Sequence, residues 1–133
     1  MVCFHSEYLH TELYEEQGVL VSQWYGKCTS QQYRDAHARF AYIVKQKNIQ
    51  FAISDRRLLP PISQEDIDWT VNVFAKQFCQ LPLKRFAYIN CFNEAAGAQL
   101  QTFLSNPFCK IPFEVKVFED LTSAYDWLVS VKA

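Results

Sequence analysis

The sequence has almost no net charge and no long uninterrupted run of hydrophobic residues. Its 133 residues include 13 Lys and Arg against 14 Asp and Glu, for a formal charge of −1 at neutral pH. We therefore expect no nucleic-acid partner, because nucleic-acid binding depends on basic surfaces. No apolar run approaches the roughly 20 residues of a membrane-spanning helix, and no basic-then-apolar leader follows Met1. The expected location is the cytoplasm, without a membrane span.

Clustered glycines, paired cysteines and closely spaced histidines are also lacking. The three glycines, Gly18, Gly26 and Gly97, do not cluster as a phosphate-binding loop requires. The five cysteines are odd in number and form no Cys-x-x-Cys pair, which argues against a disulfide framework, a thioredoxin-type site and a zinc site. The three histidines form no His-x-x-x-His pair, and no Gly-x-Ser-x-Gly motif is present. We therefore expect no metal, no cofactor and no catalytic residue, and an enzyme is the least favoured class.

Strand and helix patterns alternate over most of the chain. Five segments are short and apolar or alternating, as β-strands are: Glu7–Glu15, Val19–Trp24, Ile49–Ser54, Arg85–Cys91 and Phe113–Phe118. Four segments with apolar residues three and four apart are predicted as helices over Thr29–Lys47, Ser63–Gln80, Glu94–Ser105 and from Thr122 to the C-terminus. The order ββαβαβαβα predicts a single α/β domain over residues 1–133, with a mixed, mostly parallel sheet flanked by helices.

The last predicted strand, Phe113–Phe118, alternates strictly between two faces. Phe113, Val115 and Val117 share one face, while the residues between them are mostly charged. This alternation indicates that one side of the strand is wetter and predicts an edge strand. Because an exposed edge can pair with the same edge of a second copy, we also expect that the chain can form a homodimer.

A set of short motifs along the chain suggests a family. The motifs are Trp24–Thr29 (WYGKCT), Asp55-x-Arg57, Glu65–Trp69 (EDIDW), Lys84–Tyr88 (KRFAY), and Phe118–Asp120 (FED) followed by Ala124 and Trp127-Leu128. In their order and spacing, from about Glu7 to Val129, they resemble the SpoIIAA-like or STAS family, which includes the STAS/SEC14 domains of small bacterial proteins. The resemblance implies a SpoIIAA-like fold used as a regulatory or protein-interaction domain and not as an enzyme.

The sequence departs from this family at its regulatory site. In anti-sigma-factor antagonists of the family, a Ser or Thr just after a strand-ending Asp is phosphorylated at the start of the next helix. Asp55 matches that Asp, but Arg56 and Arg57 follow it where the motif has serines. The expected domain therefore lacks the usual phosphorylatable serine. The first hydroxyl at the next helix start, Ser63, is either a substitute phosphorylation site or a plain helix cap.

The loops at the carboxyl ends of the predicted parallel strands are the expected binding region, because ligands of open α/β sheets bind there. The candidate residues in these loops and in the following helical turn are Trp24, Tyr25, Asp55, Arg56, Arg57, Ser63, Asp66, Asn90 and Asn93. Arg56 and Arg57 suit a phosphate or carboxylate, because guanidinium groups bind such anions in a bidentate manner. Alternatively, Asp55 and Asp120 pair with them and only tie two loops together.

Two functions follow from this pattern. The first is a regulatory domain that binds a protein partner through the region from Asp55 to Trp69. The second is a small-molecule or lipid-binding domain of the SEC14 type, in which Arg56 and Arg57 recognise the head group of an anionic or apolar ligand. A partner site predicts an exposed apolar or charged patch, whereas a ligand site predicts a concave pocket lined by aromatic residues with few inward polar groups.

Overall fold

The computed structural model describes residues 1–105 and 110–130, and its centre is a six-stranded mixed sheet. The strands lie side by side in chain order: β1 (Val2–His5), β2 (Leu9–Tyr14), β3 (Val19–Trp24), β4 (Phe51–Asp55), β5 (Arg85–Ile89) and β6 (Glu114–Phe118). β1, β2 and β3 pair antiparallel, whereas β3, β4, β5 and β6 pair parallel. The mixed, mostly parallel α/β sheet is therefore confirmed, and β6 lies at its edge as the alternation predicted.

β1 is the strand that the sequence pattern missed, so the predicted order ββαβαβαβα is incomplete at its start. Four residues are too few to show a period, and β1 is only partly buried. It pairs with β2 so that His5 lies opposite His10. The turn between the strands is held by Ser6, whose backbone N–H and hydroxyl both donate to the carbonyl oxygen of Leu9, at 2.9 and 3.2 Å.

The helices connect the parallel strands and close the chain. Their bounds are α1 (Ser30–Gln46), α2 (Gln64–Trp69), α3 (Ala75–Phe78), α4 (Glu94–Leu104) and α5 (Leu121–Ser130). Right-handed crossovers in chain order place α1, α2, α3 and α4 on one face of the sheet, which we call the α1 face. α5 packs on the opposite face, which we call the α5 face. The predicted continuation of the last helix to the C-terminus lies outside the described residues.

A π-helical turn interrupts the helix that was predicted over Ser63–Gln80. α2 and α3 are joined without a break by the π-helical segment Thr70–Phe74. At its start, the Thr70 hydroxyl donates to the carbonyl oxygen of Asp66 at 2.7 Å, which is a side-chain bond that competes with the regular helical ladder. Such turns are rare in proteins and are frequent at functional sites.

Each face of the sheet carries its own core. The α5 face is apolar, and its fully buried members are Val19, Ile53, Ala87, Ile89, Ala124 and Leu128. The larger core of the α1 face contains a run of aromatic contacts through Phe74, Phe78 and Phe86. The α1 face also encloses polar side chains, including His37, Ser54 and Thr70.

The sequence also led us to expect cysteines without a disulfide framework and a chain without a membrane span. Cys3, Cys28 and Cys91 are free thiols, as the spacing of the cysteines suggested. Cys79 is disulfide-bonded, so that expectation is wrong at this position. Within residues 1–105 and 110–130, no helix has the length and apolar character needed to cross a membrane.

Candidate functional site

The candidate site lies at the carboxyl end of β4, where two consecutive arginines point to different environments. Arg57 remains at the rim of the sheet, whereas Arg56 is directed into the core of the α1 face. The loop that carries them is tied to the loop after β5, because Arg56 N–H donates to Ile89 and Phe92 N–H donates to Arg57, at 3.1 and 3.0 Å. The two side chains therefore have separate roles.

Arg57 forms an ion pair with Asp55, as one of the sequence alternatives proposed. Its Nε and Nη2 donate to the two carboxylate oxygens of Asp55 at 3.0 and 2.7 Å, and its backbone N–H donates to the same carboxylate at 3.2 Å. The hydrogen bond with Asp55 raises the pKa of Arg57 above its ordinary value. With its carboxylate partner in place, Arg57 serves to fix the loop and has less capacity to hold a second anion.

Arg56 has no such partner among the described residues. No carboxylate of residues 1–105 and 110–130 lies within ion-pair distance of its guanidinium, and its Nε is shielded from solvent without a hydrogen-bond acceptor among these residues. Burial lowers the pKa of Arg56, but Tyr33, Tyr88 and Cys91 together raise it above its ordinary value. The guanidinium therefore stays protonated at neutral pH. Its carbon lies 5.5 Å from the centre of the Tyr88 ring, which gives partial compensation.

His37 forms a hydrogen bond with the Arg56 guanidinium, and the positions of its two ring nitrogens fix its tautomer. His37 Nδ1 lies 2.8 Å from the carbonyl oxygen of Tyr33, which can only accept, so Nδ1 carries the proton. Nε2 then has the lone pair and accepts from Arg56 Nη2 at 3.3 Å. Burial, and then the charge of Arg56, lowers the pKa of His37 to about 3. The neutral imidazole consequently leaves the positive charge of Arg56 uncompensated.

Two small cavities adjoin this pair of side chains, and each has a volume of about 30 Å³. Arg56, His37, Phe74 and Tyr88 line both of them. One cavity extends below the loop after Arg57 to α4, and the other extends toward β3 and α1. Each has room for a water-sized group or for part of a small anion, and the walls combine aromatic rings with a few polar atoms.

The outer wall of the first cavity is closed by a paired amide contact. Gln99, which lines this cavity from α4, accepts from the backbone N–H of Ile62 and donates to its carbonyl oxygen, both at 2.9 Å. These two bonds fix the proline-containing loop against α4. We call this contact the Gln99–Ile62 clasp. A ligand that extends from the cavity between the loop and α4 must displace it.

A hydrogen-bonded chain links the cavity to the start of α2. Tyr33 and Thr70, whose hydroxyl oxygens are 2.9 Å apart, lie at its inner end. Asp66, at its outer end, accepts from Ser30 and Arg34 at 2.7 and 3.1 Å. Burial raises the pKa of Asp66, but the hydrogen bonds from Ser30, Arg34 and Ser63 outweigh it and lower the pKa below its ordinary value. Asp66 is therefore an ionised structural link between α1 and α2.

The structure places the remaining candidates mostly in supporting positions. Trp24 is buried and contacts the rings of Tyr33 and His37, both at 5.9 Å, whereas Tyr25 is exposed. Ser63 and Asn93 cap α2 and α4, each by accepting a backbone N–H from three residues ahead, at 3.2 and 3.0 Å. Asn90 ends β5, and its side-chain oxygen accepts from the backbone N–H of Cys91 at 2.9 Å.

Sequence reasoning missed most of the groups around Arg56. His37 and Tyr33 lie in a predicted helix, Tyr88 in a predicted strand and Gln99 in another predicted helix, and none of them was a candidate site residue. One signal was available, because Tyr33, Ala36 and His37 continue the apolar stripe of α1 toward its N-terminus. A histidine on an apolar stripe is a buried polar group that needs a partner.

Comparison with known proteins supports the fold alone. No family model matches the chain, and no curated protein matches it by sequence. A similar fold occurs in the crystal structure of an uncharacterized protein of the DUF3478 family from Shewanella loihica PV-4, which is described as SpoIIAA-like. The TM-score is 0.61 at 24% sequence identity, over 90% of this chain and 91% of that chain. The fold implied by the motif resemblance is thus confirmed, and the chain has a SpoIIAA-like fold.

Proposed function

We propose that this domain binds a small molecule with an anionic group on an apolar body, and that Arg56 holds the anionic group. The observation that carries the proposal is the buried guanidinium, which has no carboxylate partner among the described residues. A buried charge without a counter-ion is destabilising by several kcal/mol, so a fold has little structural reason to keep one. A carboxylate or phosphate from outside the chain supplies the missing charge.

The side chains around Arg56 suit such a ligand. Tyr33 and Thr70 add polar hydroxyl oxygens to the cavity wall, while the neutral His37 avoids a second buried charge. The rest of the cavity wall is apolar and includes Leu59, Ile67, Phe74, Leu100 and Phe103. A few convergent polar groups in an apolar pocket are typical of small-molecule sites. The present volume accommodates part of the anionic group, and the rest of the ligand requires the Gln99–Ile62 clasp to open.

The test is calorimetric titration of the purified protein with straight-chain carboxylates and alkyl phosphates of increasing chain length. We expect wild-type protein to bind members of the series and the Arg56→Met variant to lose this binding. Arg57→Met is the matched control, because it removes the neighbouring arginine at the rim and should retain binding. The proposal fails if wild-type protein binds no member, or if Arg56→Met and Arg57→Met lose equal amounts of affinity.

A second candidate function, docking of a protein partner, is favoured by a separate observation at the rim. Leu58 and Phe92 are 54% and 72% exposed, on the two loops that the Arg57–Phe92 backbone bond holds together. Two large apolar side chains on adjacent, fixed loops are a feature of docking surfaces. Arg57 and Asp55 lie in the same loop and would add polar contacts at its margin.

This second function is tested by the stoichiometric recovery of one partner with purified protein. We expect the double variant Leu58→Asp, Phe92→Asp to lose that partner. Tyr42→Asp is the control, since Tyr42 is 64% exposed on α1 outside these loops. Equal recovery with both variants excludes the rim as the docking surface.

A further inference from the structure

We propose that His5 and His10 form a binding site for a divalent transition-metal ion on the open end of the α5 face. The two histidines lie opposite each other on β1 and β2, and their Nδ1 atoms are 3.0 Å apart. They lie on the strands that α5 does not cover, because α5 packs against β4, β5 and β6. An ion can therefore reach the pair from solvent.

A carboxylate orients one of the two rings. Glu12 lies on the same face of β2 as His10, and its Oε1 is 2.9 Å from His10 Nε2. An ionised carboxylate only accepts, so His10 carries a proton on Nε2 and directs the lone pair of Nδ1 toward His5. Carboxylate–histidine pairs of this kind fix the tautomer of metal-binding histidines in proteins and increase the basicity of the ligating nitrogen.

The distance between the two nitrogens matches a chelate. With metal–nitrogen bonds of about 2.05 Å, nitrogens 3.0 Å apart subtend an angle of about 94° at the ion. This angle is close to that of neighbouring ligands in square-planar or octahedral coordination, which Cu²⁺ and Ni²⁺ favour over the tetrahedral geometry of Zn²⁺. Without metal, the two nitrogens form a hydrogen bond in which His5 Nδ1–H donates to His10 Nδ1. When the metal binds, this proton leaves Nδ1 and His5 takes up a proton from solvent at Nε2, so that both Nδ1 lone pairs face the ion.

The site has two protein ligands and water in the remaining positions. In the part of the chain that the structure describes, no group of three or more His, Cys, Asp or Glu side chains is placed to hold a metal ion together. The nearby thiol, Cys3, packs against the core of the α1 face and so lies on the other side of the sheet. We therefore expect exchangeable binding and not a permanent structural metal.

The experiment is calorimetric titration of the untagged full chain with Ni²⁺, which thiols do not reduce, and with Mg²⁺ as a hard-cation control. We expect one Ni²⁺ per chain, no binding of Mg²⁺, and loss of Ni²⁺ binding in both His5→Ala and His10→Ala. Glu12→Gln should weaken binding by about 10- to 100-fold, because the orienting carboxylate is lost. Thermal unfolding confirms that each variant is folded.

Two controls decide whether the site is the one proposed. Cys3→Ser should bind Ni²⁺ as wild-type protein does, and loss of binding in this variant would assign the metal to the thiol instead. In the imidazole region of the proton NMR spectrum, substoichiometric Ni²⁺ should broaden the signals of His5 and His10 and leave the buried His37 less affected. The proposal is overturned if wild-type protein does not bind Ni²⁺, or if either histidine variant binds it unchanged.

Discussion

The two faces of the sheet are both covered by helices, but they bury different kinds of side chain. On the α5 face, β3, β4 and β5 present apolar side chains to α5: Val19, Val21, Phe51, Ile53, Ala87 and Ile89. On the α1 face, the same strands contribute Ser22, Ser54 and Tyr88, and the helices add His37 and Thr70. The packing of helices on this sheet therefore does not require polar groups in the middle of the core, since on the α5 face the buried Asp55 lies only at the end of β4.

This difference suggests that the polar core of the α1 face is kept for binding. Among buried side-chain nitrogens that lack an acceptor in the described residues, only Arg39 Nη1 accompanies Arg56 Nε. The guanidinium carbon of Arg39 lies 3.8 Å from the centre of the Phe4 ring, so it has a close cation–π partner. Arg56 is farther from its ring, adjoins two cavities and hydrogen-bonds a neutral histidine. It is the group whose burial is least explained by stability.

The largest expected effect on stability is that of a substitution in the apolar core of the α5 face. Ile53→Ala removes a fully buried side chain of β4 and should lower the free energy of unfolding by about 2–5 kcal/mol. Denaturant unfolding measures the loss, and anion binding at saturation should stay unchanged because Ile53 faces α5. The matching substitution on the α1 face is Leu100→Ala, which enlarges the cavity beside Arg56. It should shift the preference of the protein to ligands with a longer chain. If Ile53→Ala alters ligand preference as much, the two faces are not independent.

The stability of the protein should depend on pH through His37, which lies in the polar core of the α1 face. Burial and Arg56 lower the pKa of His37 from 6.5 to about 3, so the unfolded chain takes up this proton first. Stability should therefore fall as the pH drops below 6.5, by about 2 kcal/mol on reaching pH 5. Denaturant unfolding at the two pH values tests this.

The control for that experiment is His37→Gln, whose side chain can retain a hydrogen bond without titrating. The lowered pKa of Asp66 affects stability only below its ordinary value of 3.8, outside this interval. The variant should therefore show a flatter dependence between pH 6.5 and 5. An equally steep dependence in His37→Gln would assign the effect to another group.

A smaller effect is expected at the cap of α2. Ser63→Ala removes the acceptor for the backbone N–H of Asp66 and should cost about 1 kcal/mol. Ser63→Asp retains an acceptor and should recover most of this loss in thermal unfolding. If Ser63 is instead a phosphorylation site, Ser63→Asp should change partner or ligand binding, whereas a plain cap should leave both unchanged.

The smallest effect on stability is expected for a substitution of Arg57, at the rim of the sheet. Arg57→Lys keeps a cation beside the buried Asp55 carboxylate and loses only the bidentate contact at the partly exposed Arg57 side, so the cost should be about 0.2–1 kcal/mol. Thermal unfolding should therefore shift only slightly. A loss above 2 kcal/mol would show that Arg57 holds the two loops together more strongly than its exposure indicates.

The sequence predicted the elements well because their signals are local. The strands from Val19–Trp24 onward and the capped helices are visible as periods and caps, and the parallel order follows from their alternation. β1 was missed because four residues show no period. The π-helical turn was missed because its defining backbone bond, from the N–H of Ala75 to the carbonyl oxygen of Thr70, leaves no signal in the apolar pattern of the helix.

The site was only partly predictable for a physical reason. The loop positions of Arg56 and Arg57 followed from the strand ends, but two adjacent arginines look alike in sequence. Their separation depends on Asp55, which pairs with Arg57, and on His37, which is contributed by α1 and accepts from Arg56. Likewise, His5 and His10 meet only because β1 pairs with β2 in the observed register.

The most direct test of the account is to compare the stability and the anion affinity of Arg56→Met with those of wild-type protein. If the buried guanidinium serves binding, Arg56→Met should be at least as stable as wild type in denaturant unfolding, because an uncompensated charge is removed. It should also have lost the affinity for carboxylates and alkyl phosphates. A variant that is strongly destabilised, yet still binds these anions as wild type does, would contradict the account and make Arg56 a structural residue.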